Sequence, residues 1–359
     1  MLSLILSILT IPFVPIFFYS GGFVSSNSLT DLSQSWSHKV VKGEEVLGAS
    51  QVNGQADNRT MDGTPKDDNG FQNCNLFPLN SADSEFMPAM KTGSTDIKLF
   101  AGSSVVIDVD SGTLLHYDNG RKKAQIASLT KMMTAILTVE NIKDLDNEVV
   151  TIPPEALKVD GTVVGCPTSV FCNGERLHAG EKVKAIDLLK VMLLNSANDA
   201  ATTLGIHIAG SADKFVDMMN AKARTLGLED THFCTPSGLE IDGHEDECYS
   251  SAYDIGRIAV ASLKYNLIWD IMKIPSGTFY STDGKDMHVM QNTDLLLGTI
   301  PNCLGGKTGF TPLAGKSLML GSVDPTGKHR VISVILNDEN RWDDMRKLTD
   351  WVFANYDWK

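Results

Sequence analysis

The stretch Ala127-Ser128-Leu129-Thr130-Lys131-Met132-Met133-Thr134 decides the architecture, because from Ser128 onward its apolar residues recur at helical spacing. Leu129, Met132, Met133, Ile136 and Leu137 follow that period, and Ser128 stands where an N-cap or first-turn residue belongs. Just upstream, Val105 to Val109 and Thr113 to Tyr117 are β-rich runs flanking the turn-forming Asp110-Ser111-Gly112, which predicts a hairpin. A hairpin therefore feeds a helix.

Further along, Leu188 to Leu194 and Ala200 to Ile208 read as two helices broken at Asn195-Ser196-Ala197-Asn198. Ala212 to Leu226 reads as another, closing at Gly227 with Arg224 in its last turn. After that the period changes. Lys307 to Thr311, Leu318 to Ser322 and Val331 to Leu336 are strand-like and separated by Pro- and Gly-containing turns. The last element, Asp343 to Tyr356, puts Met345, Leu348 and Val352 on one helical face. Strands at both ends with helices between predict an α+β fold, in which one antiparallel sheet is flanked by helices and carries a helical subdomain.

That ordered domain is expected over 95–359. Residues 27–94 are rich in Ser, Asn, Asp, Gly and Thr, with too few hydrophobes to bury a face, and read as a disordered linker. Asn58-Arg59-Thr60 within it matches the short glycosylation pattern, a weak signal. Residues 1–26 contain an almost wholly apolar run from Leu2 to Phe18, which reads as a secretion signal or an N-terminal membrane anchor. Pro12 and Pro15, and the lack of Lys or Arg before the run, count against a plain spanning helix. The choice between a cleaved signal and a retained anchor stays open.

Six cysteines agree with export, since disulfides persist outside the reducing cytosol. Of the fifteen possible pairings, local staples are simplest: Cys166 with Cys172 and Cys234 with Cys248, which leaves Cys74 with Cys303. No C-x-x-C or H-x-x-x-H spacing suggests zinc. A net charge of -13, with no basic run longer than Arg121-Lys122-Lys123, argues against nucleic acid.

Three short patterns carry chemistry: Ser128-Leu129-Thr130-Lys131, Ser196-Ala197-Asn198 and Lys307-Thr308-Gly309. Alone, each is a common string, and each has a plain reading: a capped helix, a helix cap, a solvated strand end. Together they point to acyl transfer. Three residues apart on a helix, the Lys131 amine reaches the Ser128 hydroxyl, and a lysine acts as base once its pKa is lowered. The helix dipole and a second cation at Lys307, alongside desolvation, would lower it. Ser196 can relay a proton to a leaving amine, and Asn198 can fix a substrate carbonyl. Asp199 reads as a first-turn dipole partner. Lys307 and Thr308 offer a cation and a hydroxyl to a carboxylate, and Gly309 lets an extended peptide come close to an edge strand. Backbone N–H groups of Ser128 and Phe310 are then placed for a developing oxyanion.

The Ser-x-x-Lys, Ser-x-Asn-like and Lys-Thr-Gly set is the one associated with penicillin-binding proteins and class A β-lactamases. Over roughly Ser104 to Tyr356 the chain resembles the low-molecular-mass serine D-Ala-D-Ala carboxypeptidases, peptidase family S11. The resemblance runs through Ala127 to Thr134, Asn198-Asp199-Ala200-Ala201, Met219-Asn220-Ala221-Lys222-Ala223, Thr231-His232-Phe233, Pro236-Ser237-Gly238-Leu239 and Lys307-Thr308-Gly309-Phe310-Thr311. It implies a β-lactamase/transpeptidase-like fold and an acyl-enzyme at Ser128, with Lys131 as base. Ser196 and Asn198 would handle the leaving D-alanine and the substrate amide, and Lys307 with Thr308 its terminal carboxylate. The implied partners are peptidoglycan stem peptides ending in D-Ala-D-Ala, with β-lactams as inhibitors. No cofactor is implied, and the expected location is the extracytoplasmic side of a bacterial membrane or wall.

Several features depart from the family pattern. Asp294 replaces a common asparagine in Asn292-Thr293-Asp294, an extra negative charge expected to weaken carboxylate binding. The paired cysteines and Glu245-Asp246-Glu247 point to local loop variation. Ending at Lys359, the chain leaves any membrane attachment to its N-terminal segment. An endopeptidase opening cross-links would use the same groups. A β-lactamase would need a Glu-x-x-Leu-Asn run, and none occurs between Asn198 and Lys307. A non-enzymatic peptidoglycan-binding module would be expected to lack a catalytic residue, yet all three patterns are intact. A Ser-His-Asp hydrolase using His178, His207, His232 or His244 lacks its G-x-S-x-G context.

Overall fold

The structure is a computed structural model that describes residues 87–167 and 172–358. The apolar N-terminal run, Asn58 and Cys74 lie outside the described residues. Strand β1 (Pro88–Met90) precedes the expected hairpin, β2 (Ser103–Asp108) and β3 (Leu114–Asp118). A 3-10 turn at Ala127–Thr130 runs directly into α1 (Lys131–Asn141). Next come β4 (Val149–Thr151) and β5 (Lys182–Lys184), which pair as a small ribbon, then α2 (Ala185–Leu194), α3 (Asn198–Ala209) and α4 (Ala212–Thr225). Helices α5 (Ala252–Ser262) and α6 (Asn266–Met272) lead to a second hairpin, β6 (Ser276–Tyr280) and β7 (Met287–Gln291). The chain returns through β8 (Cys303–Thr311), β9 (Gly315–Val323) and β10 (Arg330–Leu336), then α7 (Arg341–Asn355) and β11 (Tyr356–Trp358).

The main sheet is antiparallel in the order β3-β2-β10-β9-β8, so strands from the two ends of the domain meet where β10 pairs β2. Val334 faces Val105 across one seam and Met319 across the other. Alternate side chains divide between two cores. Val105, Ile107, Met319, Ile332 and Val334 pack on the side of α1 and α5, while Val106, Leu318, Leu320, Val331 and Ile335 pack with Met345, Leu348 and Val352 of α7. Both faces are covered, which is why β2 and β10 read as nearly continuous apolar runs. Strand β8 is left at the edge, against the 3-10 turn that carries Ser128.

Three expectations need correction. Order begins before Ile97, because β1 pairs antiparallel with β11, Pro88 opposite Trp358, so the linker boundary at residue 94 falls too late. For the same reason the domain closes on a strand, not on α7. Each of these strands has three residues, too few to show a period, and each is fixed by a partner from the other end of the chain. β11 is held further by the Trp358 indole donating to Asp108 Oδ1 at 2.7 Å and the Tyr356 hydroxyl donating to the Leu115 carbonyl at 2.6 Å. Finally, α5, α6, β4–β5 and β6–β7 lie in stretches assigned no element from sequence. Helix α5 nonetheless has a built start, the Ser251 side chain accepting from Asp254 N at 3.1 Å.

The disulfides Cys166–Cys172 and Cys234–Cys248 both form. Cys303 is in no disulfide among the described residues, and burial pushes its thiol up to about 11. Its expected partner, Cys74, lies outside them. No helix among the described residues is long and apolar enough to cross a membrane.

Candidate active site

Ser128 sits in the middle of the 3-10 turn, not at a helix cap, and its hydroxyl makes no capping bond. Instead it is 2.7 Å from Lys131 Nζ, Lys131 being the first residue of α1. The turn is strained. Ala127 has φ 46°, a left-handed conformation that costs a non-glycine residue about 1–3 kcal/mol. Gly238 locks it: with φ 86°, it lies so close that an added Cβ would stand 1.9 Å from the Ala127 carbonyl oxygen.

Lys131 is fully buried. Besides Ser128, its ammonium meets Asn198 Oδ1 and the Ser237 carbonyl, each at 2.7 Å. Burial, and then the charge of Lys307, hold its pKa well below the ordinary lysine value, with Asp199 acting the other way. Burial leads among these causes, ahead of the second cation that the sequence singles out.

The break between α2 and α3 supplies the second group. Ser196 lies there at φ 64° and accepts from Lys307 Nζ at 2.9 Å. Asn198 opens α3 without capping it: its Oδ1 accepts from Lys131 and its Nδ2 donates to the Asp160 carbonyl at 2.7 Å. Segment 160–164 is laced to this break. Asn198 N donates to the Thr162 carbonyl at 2.8 Å, and the Thr162 hydroxyl donates to the Ser196 carbonyl at 3.0 Å. Asp199 does more than complement a dipole. Both its oxygens accept from Val164 N at 3.1 Å, Oδ1 also accepts from Ala200 N, and burial pushes its carboxyl up to about 6.

The third group lies on the edge strand. Lys307 is fully buried in β8, its Nζ donating to Ser196 Oγ and to the Thr308 carbonyl. Burial, and then the charge of Arg341, lower its pKa to about 7, and Asp294 opposes the fall. The Thr308 and Thr293 hydroxyls meet at 2.7 Å. At Gly309 a Cβ would stand 2.8 Å from the Ile126 carbonyl oxygen, so only glycine lets β8 approach the Ser128 turn this closely. Phe310 is exposed beyond it.

All eight singled-out residues thus meet in one cleft, drawn from a turn, a helix break and a strand. Sequence reasoning passed over Arg341, which reaches back from the start of α7 to donate to the Gly309 carbonyl at 3.0 Å. It also missed Thr293 and the Ser237 carbonyl as contacts of Thr308 and Lys131. No pattern flags them, since each matters through a distant partner. Asp294 is corrected in its sense. It is buried, its Oδ1 accepts from Leu296 N at 2.8 Å, and an added Cβ on Gly306 would meet its Oδ2 at 2.8 Å. From beneath β8 it favours charge on Lys307. The four histidines of the rival scheme engage other groups: His178 meets Asp286, His207 meets Glu148, His244 meets Glu247 and His232 meets the Glu247 carbonyl.

Comparison with known proteins matches this arrangement to one family. D-alanyl-D-alanine carboxypeptidase DacB2 of Mycobacterium tuberculosis is 34% identical over 278 residues, covering 76% of this chain and 88% of that protein. The crystal structure of a D-alanyl-D-alanine carboxypeptidase from M. tuberculosis H37Rv is similar at a TM-score of 0.64 and 32% identity, over 74% of this chain and 96% of that one. Penicillin-binding protein D2 of Listeria monocytogenes, in its ampicillin-bound form, gives 0.60 and 30%, over 72% of this chain and all of that one. The peptidase S11 family, described as D-alanyl-D-alanine carboxypeptidase, matches residues 89–340, and with more than half of its length so covered the chain belongs to that family.

Proposed function

We propose that Ser128 is the nucleophile by which this carboxypeptidase trims the terminal D-alanine from peptidoglycan stem peptides. The observation that carries the assignment is the fully buried Lys131 ammonium, 2.7 Å from Ser128 Oγ and held on its other sides by Asn198 and Ser237. Such an amine is poised to be neutral, and a neutral amine accepts a proton.

The substrate strand lies along the free edge of β8, its terminal carboxylate toward Lys307 and Thr308 and its amide beside Asn198. Ser128 Oγ attacks the scissile carbonyl carbon while its proton passes to Lys131 Nζ. The oxyanion receives the backbone N–H groups of Ser128 and Phe310. As the tetrahedral centre collapses, the C–N bond breaks and the leaving nitrogen takes a proton relayed through Ser196, whose hydroxyl already meets Lys307; the proton taken up by Lys131 replaces the one given, which leaves Lys131 neutral again. D-alanine departs and an ester remains on Ser128. Water, deprotonated at Lys131, then attacks the ester, releasing the shortened peptide and restoring the serine.

A β-lactam presents a strained amide and a carboxylate in the same relation, and acylates Ser128 in the same way. This substrate places the enzyme on the extracytoplasmic side of the membrane, with residues 1–26 as export signal or anchor. The test is product analysis on defined muropeptides: free D-alanine with the shortened monomer is expected. Cross-linked dimers cut with no D-alanine released from monomers would instead make the enzyme an endopeptidase.

A further inference from the structure

Away from the cleft, three donor atoms converge between the turn before β5 and the β6–β7 hairpin. His178 Nε2 is 3.1 Å from Asp286 Oδ2 and 3.8 Å from Glu181 Oε2, and all three atoms lie within 4.8 Å of one another. Donors on a tetrahedral divalent ion, with bonds of about 2.1 Å, stand roughly 3.4 Å apart, a span that lies between the two distances from His178 Nε2, so modest side-chain shifts would seat an ion.

The scaffold beneath is already fixed. Glu181 is buried, and its Oε1 is held by Nε2 of the fully buried His288 at 2.7 Å, while His288 Nδ1 donates to the Glu175 carbonyl at 3.0 Å. This leaves Oε2 turned toward His178, where it also accepts from the His178 backbone N–H at 3.1 Å. On the imidazole of His178, Nδ1 faces the Ala179 carbonyl at 3.5 Å, the side that keeps the proton when Nε2 offers its lone pair. A backbone bond pins the two segments together, Thr282 N donating to the Lys182 carbonyl at 2.7 Å, and Ser281 N, donating to the Asp286 carbonyl at 3.0 Å, closes the hairpin's own turn. His178 and Asp286 are open to solvent, so an ion would have both an entry path and room for water ligands.

We propose that His178, Glu181 and Asp286 form a structural site for a divalent transition-metal ion of the zinc or cobalt class, clamping the β6–β7 hairpin to the turn before β5. One imidazole and two carboxylates suit these ions better than a soft thiolate-seeking one or a purely oxygen-seeking one. The ion takes no part in acyl transfer. Its place is to hold the hairpin whose end leads, two residues on, to Thr293 beside Thr308.

The test is titration of the full chain with cobalt(II), followed by its visible absorption, together with native mass spectrometry and thermal unfolding with and without zinc. One ion bound per chain and a raised unfolding midpoint are expected. The His178→Ala/Asp286→Asn double variant should bind roughly tenfold or more weakly, lose the zinc-dependent shift and keep its rate of penicillin acylation, which shows that it is folded. Equal binding by wild type and variant, or no ion bound by wild type, would overturn the proposal. The second result would leave a surface ion pair only.

Discussion

At the scale of single residues, the proposed chemistry rests on two buried lysines that need opposite protonation states. In the proposed mechanism Lys131 acts as a base when neutral, and burial with the nearby Lys307 charge pushes it that way. In the same mechanism Lys307 binds a carboxylate when charged, and its pKa of about 7 leaves that charge poised. Below about pH 7 it carries its proton and attracts the carboxylate; as pH rises through that value the charge and the attraction are lost. The kcat/KM profile of the free enzyme should therefore fall on its alkaline side as Lys307 titrates. Asp294 holds the Lys307 proton in place, so Asp294→Asn is expected to lower the Lys307 pKa and move this limb to lower pH, seen in peptide kcat/KM against pH. Removing the base has a different signature. Lys131→Ala should slow penicillin acylation by roughly 10²–10⁴-fold, read by stopped-flow with a fluorescent penicillin. Ser128, Lys131, Ser196, Asn198 and Lys307 to Phe310 were all legible in the sequence as candidates, because each lies in or beside a short recognisable pattern, although Lys307 proves to stand inside β8 and not at its start. Arg341 and the true side of Asp294 were not, since both act across the thickness of β8.

At the scale of elements, two non-glycine residues in left-handed conformations, Ala127 and Ser196, flank the chemistry and are held by neighbouring loops. Gly238 presses on the first, so Gly238→Ala should lower the unfolding midpoint and slow acylation together. The second is gripped by segment 160–164, itself anchored by Asp199 and tied at Cys166 to Cys172. Asp199→Ala would leave the Val164 and Ala200 N–H groups without their acceptor, a loss of about 1–3 kcal/mol in chemical denaturation. Reducing Cys166–Cys172 should remove about 2 kcal/mol, as expected for a short closed loop. None of this lacing could be read from periodicity. The helices and strands with long apolar repeats were legible; β1, β11 and β4–β5, three residues each, and the half-exposed β6–β7 hairpin were not. Their partners lie elsewhere in the chain, and pairing with them makes them strands.

At the scale of the whole molecule, the five-stranded sheet is completed by pairing an early strand of the domain with a late one, β2 with β10, and the Ser128 turn packs against β8, the strand that carries Lys307, although the two are far apart in sequence. The β1–β11 ribbon seals the same junction from outside. Ending the chain after Asn355 removes β11 and the Trp358–Asp108 bond, and should lower the thermal midpoint while leaving penicillin acylation unchanged. The central claim is that one serine carries the acyl group for both peptide and antibiotic. Peptide-mapping mass spectrometry after separate incubation with a D-alanyl-D-alanine peptide and with penicillin tests it most directly. The account predicts both adducts on the peptide containing Ser128, with D-alanine released in the first case and neither adduct nor release in Ser128→Ala. An adduct on another residue, or D-alanine release that survives Ser128→Ala, would contradict it.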